Sequence, residues 1–272
     1  MEMERTGNLM AAIIFLEVCL GLFRFFAGAS IFSFLHVVTC RLPAGEPVVC
    51  GRSHCPECGK VLTGFELIPC LSYVLQKGKC RACKASIPPG YLILEVWGGV
   101  CFLWSGAMFG WGSWGILSWK AAAAFAYLSV LTVAAVIDWN TRIIYDRFHI
   151  MIFLLGVVSF WVFPEHGLWD RMIGAVIVSF PMLALALCIE GAFGGGDIKL
   201  MACSGFLLGW KAVVCGMFLG LLAGGIYCIP MMAAGRLGRK DSFAFGPFLA
   251  FGLSLAFFYG DRIADWYLAL LR

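Results

Sequence analysis

Charge is scarce in this 272-residue chain: only 13% of its residues are Asp, Glu, Lys or Arg, where a soluble domain carries about 25%. With 61% of the residues hydrophobic, that scarcity excludes an ordinary soluble enzyme. The long apolar blocks also lack the polar stripe that a surface amphipathic helix needs. A net charge of +4 is too small an excess to suggest a nucleic-acid partner. No Ala-x-Ala-like site follows the first apolar block, so a cleaved signal peptide is not expected and that block should remain as a helix. No internal repeat or low-complexity tract stands out.

What is present is apolar sequence in stretches suited to crossing a bilayer, for which about 17–25 residues are needed. Eight candidates run over Leu9–Val38, Leu92–Phe109, Ala121–Ile137, Ile150–Phe163, Met172–Ile189, Leu200–Trp210, Val213–Ala234 and Phe243–Tyr259; the fourth and sixth are short. Cytoplasmic loops collect Lys and Arg. With eight spans, thirteen basic residues fall on the side of the first loop, including the cluster Arg236, Arg239 and Lys240, against six (Arg5, Lys120, Arg171, Lys211, Arg262, Arg272) on the other, with Arg24 left within the first span. The expected fold is therefore an all-α polytopic membrane protein of about eight transmembrane helices. Its expected parts are a first transmembrane helix over 1–40, a cytosolic module over 41–91 and a seven-helix membrane domain over 92–272. Pro and Gly punctuate the module, which suits short strands and turns.

Of thirteen cysteines, six lie inside apolar blocks and act there as small hydrophobes. Four of the others form Cys55-Pro-Glu-Cys58 and Cys80-Arg-Ala-Cys83. Each Cys-x-x-Cys turn aims two thiolates at one point, and four thiolates close a tetrahedral Zn²⁺ shell able to hold a zinc-ribbon-like module too small for a core of its own. With no open position the metal is structural. Such spacing also points to a reducing compartment. Cys50 and Cys70 lack a paired neighbour and read as structural, and His54 is at most a spare ligand.

Two aspartates stand where apolar blocks meet the cytosolic side: Asp138, closing a run of LSVLTVAAVI, and Asp197, after Gly194-Gly195-Gly196. Charge at that depth is costly and tends to serve function, and glycines let backbones approach closely. Asp138 also reads as an interfacial cap, and Asp197 as an N-cap favoured by the helix dipole. Glu17 and Arg24, seven apart, share a helix face about 10.5 Å apart and are expected to pair with each other or with polar groups in the bundle. Glu95 is either a ligand-binding carboxylate or an interfacial one. Asp146 reads as a supporting loop carboxylate.

These residues resemble the bacterial type IV prepilin peptidases over nearly the whole chain. The resemblance is carried by Ala29-Ser30-Ile31-Phe32 through Arg41-Leu42-Pro43, by Ser53-His54-Cys55-Pro56-Glu57-Cys58, Leu67-Ile68-Pro69, Ser72-Tyr73 and Gly78-Lys79-Cys80-Arg81-Ala82-Cys83. It is also carried by Ile137-Asp138 and by a Gly-x-Gly-Asp-Ile-Lys element at 194–199, the G-x-G-D part of which is shared with presenilin-like intramembrane aspartyl proteases. Three departures stand out: Tyr145 replaces the proline of an Ile-Pro-Asp element, His36 replaces an asparagine, and Pro88-Pro89-Gly90-Tyr91 replaces an Arg-Tyr-Pro-like run.

The resemblance implies an aspartic endopeptidase of the bacterial inner membrane, with Asp138 and Asp197 as its catalytic pair. It implies cleavage of type IV prepilin or pseudopilin leaders at the cytosolic face, and N-methylation of the new terminus with S-adenosylmethionine. No glycine-rich donor loop is visible, so no residue is assigned to that donor. An alternative of another class is a zinc-containing membrane scaffold for pilus or secretion assembly with structural aspartates.

Overall fold

A bilayer solvates no unpaired backbone groups, so apolar blocks must close their hydrogen bonds internally. In the computed structural model, which describes residues 2–112, 117–189, 191–236 and 243–271 and the side chains of Met10 and of Ala12 onward, helices cover all eight blocks. Arg239, Lys240 and Arg272, used in the charge comparison, lie outside the described residues, as does the side chain of Arg5.

The chain forms two compact units, residues 1–125 and 126–272. The first holds α1 (Glu2–Arg41), the short α2 (Leu71–Leu75) within the cysteine-bearing segment, α3 (Gly90–Phe109) and the start of α4 (Trp119–Thr141). Helices α1 and α3 pack closely because Gly28 faces Gly98: a Cβ on Gly28 would collide with the Gly98 carbonyl and Phe102. The aromatic rings of Phe32, Phe102 and Phe125 fill the space beside this crossing.

The second unit continues α4 and adds α5 (Asp146–Val162), α6 (Leu168–Ile177), α7 (Ser179–Cys188), α8 (Gly195–Leu208), α9 (Trp210–Ala233) and α10 (Gly246–Leu270). Among the described residues, five stretches are long and apolar enough to cross a membrane: Ala12–Arg41, Gly90–Phe109, Trp119–Thr141, Leu168–Cys188 and Trp210–Ala233. The fifth apolar block is broken at Val178 into α6 and α7, because Pro181 supplies no N–H to the carbonyl four residues earlier. The last helix runs past Tyr259 through Asp261, Arg262 and Asp265 to Leu270: helix-forming residues carry it on after the apolar run ends.

Arg171 of α6 is wholly buried. Its guanidinium donates to Ser159 Oγ, to the Ser159 and Phe163 carbonyls at 3.1 and 3.0 Å, and to the Leu207 carbonyl at 3.2 Å. It thereby ties the C-terminal end of α5 to that of α8 through their last carbonyls.

Candidate functional site

Asp138 lies in the last turn of α4 and is buried, 5% exposed. The chain turns directly after it. Arg142 takes a left-handed φ of 57°, Ile144 buries its side chain, and Tyr145 caps α5 with φ −72° and ψ 140°. Asp138 Oδ2 accepts a 3.0 Å hydrogen bond from the Gly246 N–H at the start of α10. A Cβ on Gly246 would stand 2.7 Å from that oxygen, so glycine is what allows the backbone to reach the carboxylate.

Asp197 is the third residue of α8, behind the N-cap Gly194. Its carboxylate turns back to the Gly194 N–H and lies within electrostatic reach of Asp138. This is the reach of an N3 carboxylate in a capping box, and the helix dipole favours it; the cap position itself belongs to Gly194. Ile144 joins the two neighbourhoods. Its side chain is 3.1 Å from where a Cβ on Gly196 would stand and equally close to one on Gly246.

Asp146 is exposed and stands apart as a clamp. Its Oδ1 takes a 2.7 Å ion pair from Lys199 of α8 and lies 3.4 Å from His149 Nδ1. His149, buried at 4% exposure, places Nε2 3.0 Å from the Gly196 carbonyl. The N-termini of α5 and α8 are thus tied together one residue before Asp197. Sequence reasoning passed over His149 and Gly246; their partners lie 47 and 108 residues away along the chain.

In the first unit the sulfurs of Cys55, Cys58, Cys80 and Cys83 all lie within 4.8 Å of one another, with Cys55 and Cys83 at 3.8 Å. Tetrahedral Zn–S bonds of about 2.3 Å require S···S near 3.8 Å, so the donor set fits zinc. Two matching turns build it. Cys55 N–H donates to the Lys60 carbonyl and Gly59 N–H to the Cys55 carbonyl, both at 2.9 Å; Cys80 N–H to Ala85 and Lys84 N–H to Cys80 repeat the pattern at 2.9 and 3.0 Å. Bridges His54–Val61 and Lys79–Ser86 flank them, and Gly59 and Lys84 share a left-handed φ of 69° and 62°.

The expectation of no internal repeat is therefore corrected: one turn recurs at a 25-residue offset, too short a unit to show as self-similarity. The N–H groups of Cys83 and Ala82 hold the Cys80 thiol below its ordinary value. His54 turns to the Arg52 carbonyl instead. Cys70 is pushed up to about 11 by burial and by the Glu95 charge and stays a thiol.

Glu95 is buried and engaged at both oxygens, accepting from Ser33 Oγ of α1 at 2.8 Å and from the Cys70 N–H at 2.6 Å. It links two helices to the cysteine segment as a structural acceptor. Glu17 and Arg24 approach to 3.9 Å, and Arg24 also covers the Trp111 ring at 3.9 Å, which bears out their pairing. His36 lies against Tyr91, ring centroids 3.9 Å apart.

Comparison with known proteins matches residues 26–109 to the bacterial peptidase A24 N-terminal domain and residues 125–229 to the type IV leader peptidase family. A prepilin leader peptidase/N-methyltransferase of Bacillus subtilis is 33% identical over 90% of this chain and 97% of its own length. Proteins of the same name from Burkholderia pseudomallei and Stutzerimonas stutzeri are 31% and 30% identical, over 80% and 81% of this chain and 71% and 76% of theirs. No solved structure matches.

Proposed function

The chain belongs to the type IV leader peptidase family, and from that premise we propose that it is a membrane aspartic endopeptidase that removes the leader of a type IV prepilin or pseudopilin. Asp138 and Asp197 are its catalytic pair. The observation that carries this reading is their convergence: α4, α8 and α10 bring the two aspartates to one neighbourhood around Ile144, Gly196 and Gly246. Two carboxylates held together share one proton. The ionised one takes a proton from water as the water oxygen attacks the scissile carbonyl, and the protonated one gives its proton to the carbonyl oxygen. Collapse of the tetrahedral species passes a proton to the leaving amine. The Gly246 N–H fixes the orientation of Asp138.

The membrane arrangement is eight spans in the bacterial inner membrane, the shorter α5 and α8 included, with both aspartates and the cysteine module on the cytosolic side. Residues 1–40, 41–91 and 92–272 then serve as first transmembrane helix, structural zinc module and protease domain. The name of the relatives supports a second activity, N-methylation of the newly exposed terminus. S-adenosylmethionine would supply the methyl group, and Cys55, Cys58, Cys80 and Cys83 would hold the zinc.

Co-expression with a prepilin tests the reading. Cleavage should shift the mobility of the prepilin. Asp138→Asn and Asp197→Asn should each abolish the shift while the protein stays in the membrane, and Asp146→Asn should reduce it less, since it removes a clamp and no proton carrier. No shift with the folded, zinc-loaded wild-type protein would favour a scaffold, and full processing by both dyad variants would show that other groups carry the proton.

A further inference from the structure

The module between α1 and α3 carries a second feature that the protease reading does not use. Helix α2 ends at Leu75, and Lys77 and Gly78 both take left-handed backbone angles, φ 52° and 65°. They reverse the chain into the second cysteine turn. The reversal brings Lys77 and Lys79 beside Arg81 and Lys84, and these four cations, with Leu75 and Gln76, line a cavity of about 370 Å³. All four cations are exposed, and no acidic residue lines the cavity. Among the described residues none of the four makes an ion pair, whereas Lys60 in the same module is paired with Glu66 at 2.9 Å.

Next to this cavity the surface is apolar. Leu71, Val74 and Leu75 occupy positions i, i+3 and i+4 of α2, hence one face of it, and are 44%, 62% and 67% exposed. An apolar face edged by lysine and arginine is the composition of a segment that lies in a membrane interface, with its apolar side chains at the acyl boundary and its cations at the headgroups. The tethers require proximity: the module leaves a candidate span at Arg41 and enters another at Gly90.

We propose that Lys77, Lys79, Arg81 and Lys84 form a binding site for the phosphate headgroup of an anionic phospholipid, with Leu71, Val74 and Leu75 resting in the same bilayer surface. Four cations lining one cavity disfavour a cationic ligand. The methyl donor S-adenosylmethionine, a sulfonium with a net positive charge at neutral pH, belongs to the disfavoured class. The cavity volume lies at the low end for small-molecule sites, which suits one headgroup.

The test uses the full-length protein, zinc-loaded, in nanodiscs of phosphatidylcholine alone or with added phosphatidylglycerol, read by hydrogen exchange of the amides from Leu71 to Ile87. Phosphatidylglycerol should slow exchange there by about tenfold, several cations each adding a modest surface attraction. The variant Lys77→Asn/Lys79→Gln/Lys84→Asn should lose that difference. Asparagine suits the left-handed angles at 77 and 84, and an unchanged zinc content shows that the module is folded. If the triple variant does not retain zinc, Leu75→Ser provides the second reading and should weaken the same protection. Equal exchange in the two kinds of nanodisc would overturn the proposal. So would protection reproduced in phosphatidylcholine by inorganic phosphate, which would mark a free-anion pocket, or a phosphatidylglycerol effect that survives in the zinc-loaded triple variant.

Discussion

The Gly246 N–H donates to Asp138 Oδ2 across 3.0 Å, joining the first residue of α10 to the last turn of α4. A methyl group at 246 would meet the carboxylate oxygen at 2.7 Å, its Cγ at 3.0 Å and Ile144 Cδ1 at 3.1 Å. The carboxyl group is the softest of these neighbours, so it is what moves. Gly246→Ala should cut prepilin processing by about 100-fold, the order expected from misplacing a catalytic group by an ångström. The amount of membrane-inserted protein should change little. Processing assays normalised to protein level check this, and a wild-type rate would show that the hydrogen bond does not orient a reacting group.

Tyr145 occupies the place of a proline in the resembling family, and its φ of −72° is an angle proline holds. No hydrogen bond engages its N–H among the described residues. Tyr145→Pro should therefore be accepted, with cleavage retained. The stiffer unfolded chain should add about 0.4–1 kcal/mol, less what is lost with the edge contact between the Tyr145 and Phe148 rings. Thermal unfolding in detergent reads the outcome. A folded but inactive variant would mean that the tyrosine side chain itself serves the site.

These two positions mark what a single sequence reveals and what it does not. The helices were legible because a bilayer forces each crossing to be a long apolar run, and the cysteine cluster because a metal shell needs two close pairs of thiolates. Pro181 lies within its apolar block, but hydropathy does not register a missing N–H, so the block alone does not reveal the break at Val178. Gly246 and His149 reach Asp138 and Gly196 only through tertiary folding. Nothing local distinguishes Gly246 from the many other glycines, or His149 from a core histidine.

In the cysteine module Glu66 is held down to about 2, first by the Thr63 N–H and then by Lys60 and the Thr63 hydroxyl. A carboxylate whose folded value lies below its ordinary value of 4.5 stabilises the folded state fully above that ordinary value. The contribution fades as pH falls towards about 2. Glu66→Gln should thus destabilise the module at neutral pH by an amount that shrinks between pH 4.5 and 2. Paired denaturation of wild type and variant across that range measures it, and a difference independent of pH would mean that the ion pair is not its source.

Zinc is the remaining claim open to direct measurement. The module has short turns and isolated bridges in place of a sheet, and Cys55, Pro69 and Cys80 are its only buried apolar residues between residues 42 and 89. A shared zinc ion would therefore be the main tie between its two cysteine turns, and such binding contributes on the order of 10 kcal/mol or more to folding in comparable small domains. Removing one thiolate opens the tetrahedral shell, so Cys58→Ser should abolish stoichiometric zinc and unfold the module locally. Elemental analysis of purified protein decides the first point, and a zinc content near zero in active wild-type enzyme would defeat it. The proposed dyad, by contrast, belongs wholly to the unit formed by residues 126–272. Cys58→Ser should therefore impair substrate docking or methylation more than bond cleavage, and leave measurable processing at high prepilin concentration. A membrane-inserted Cys58→Ser protein with no cleavage at any prepilin level would show that the module helps to build the active site.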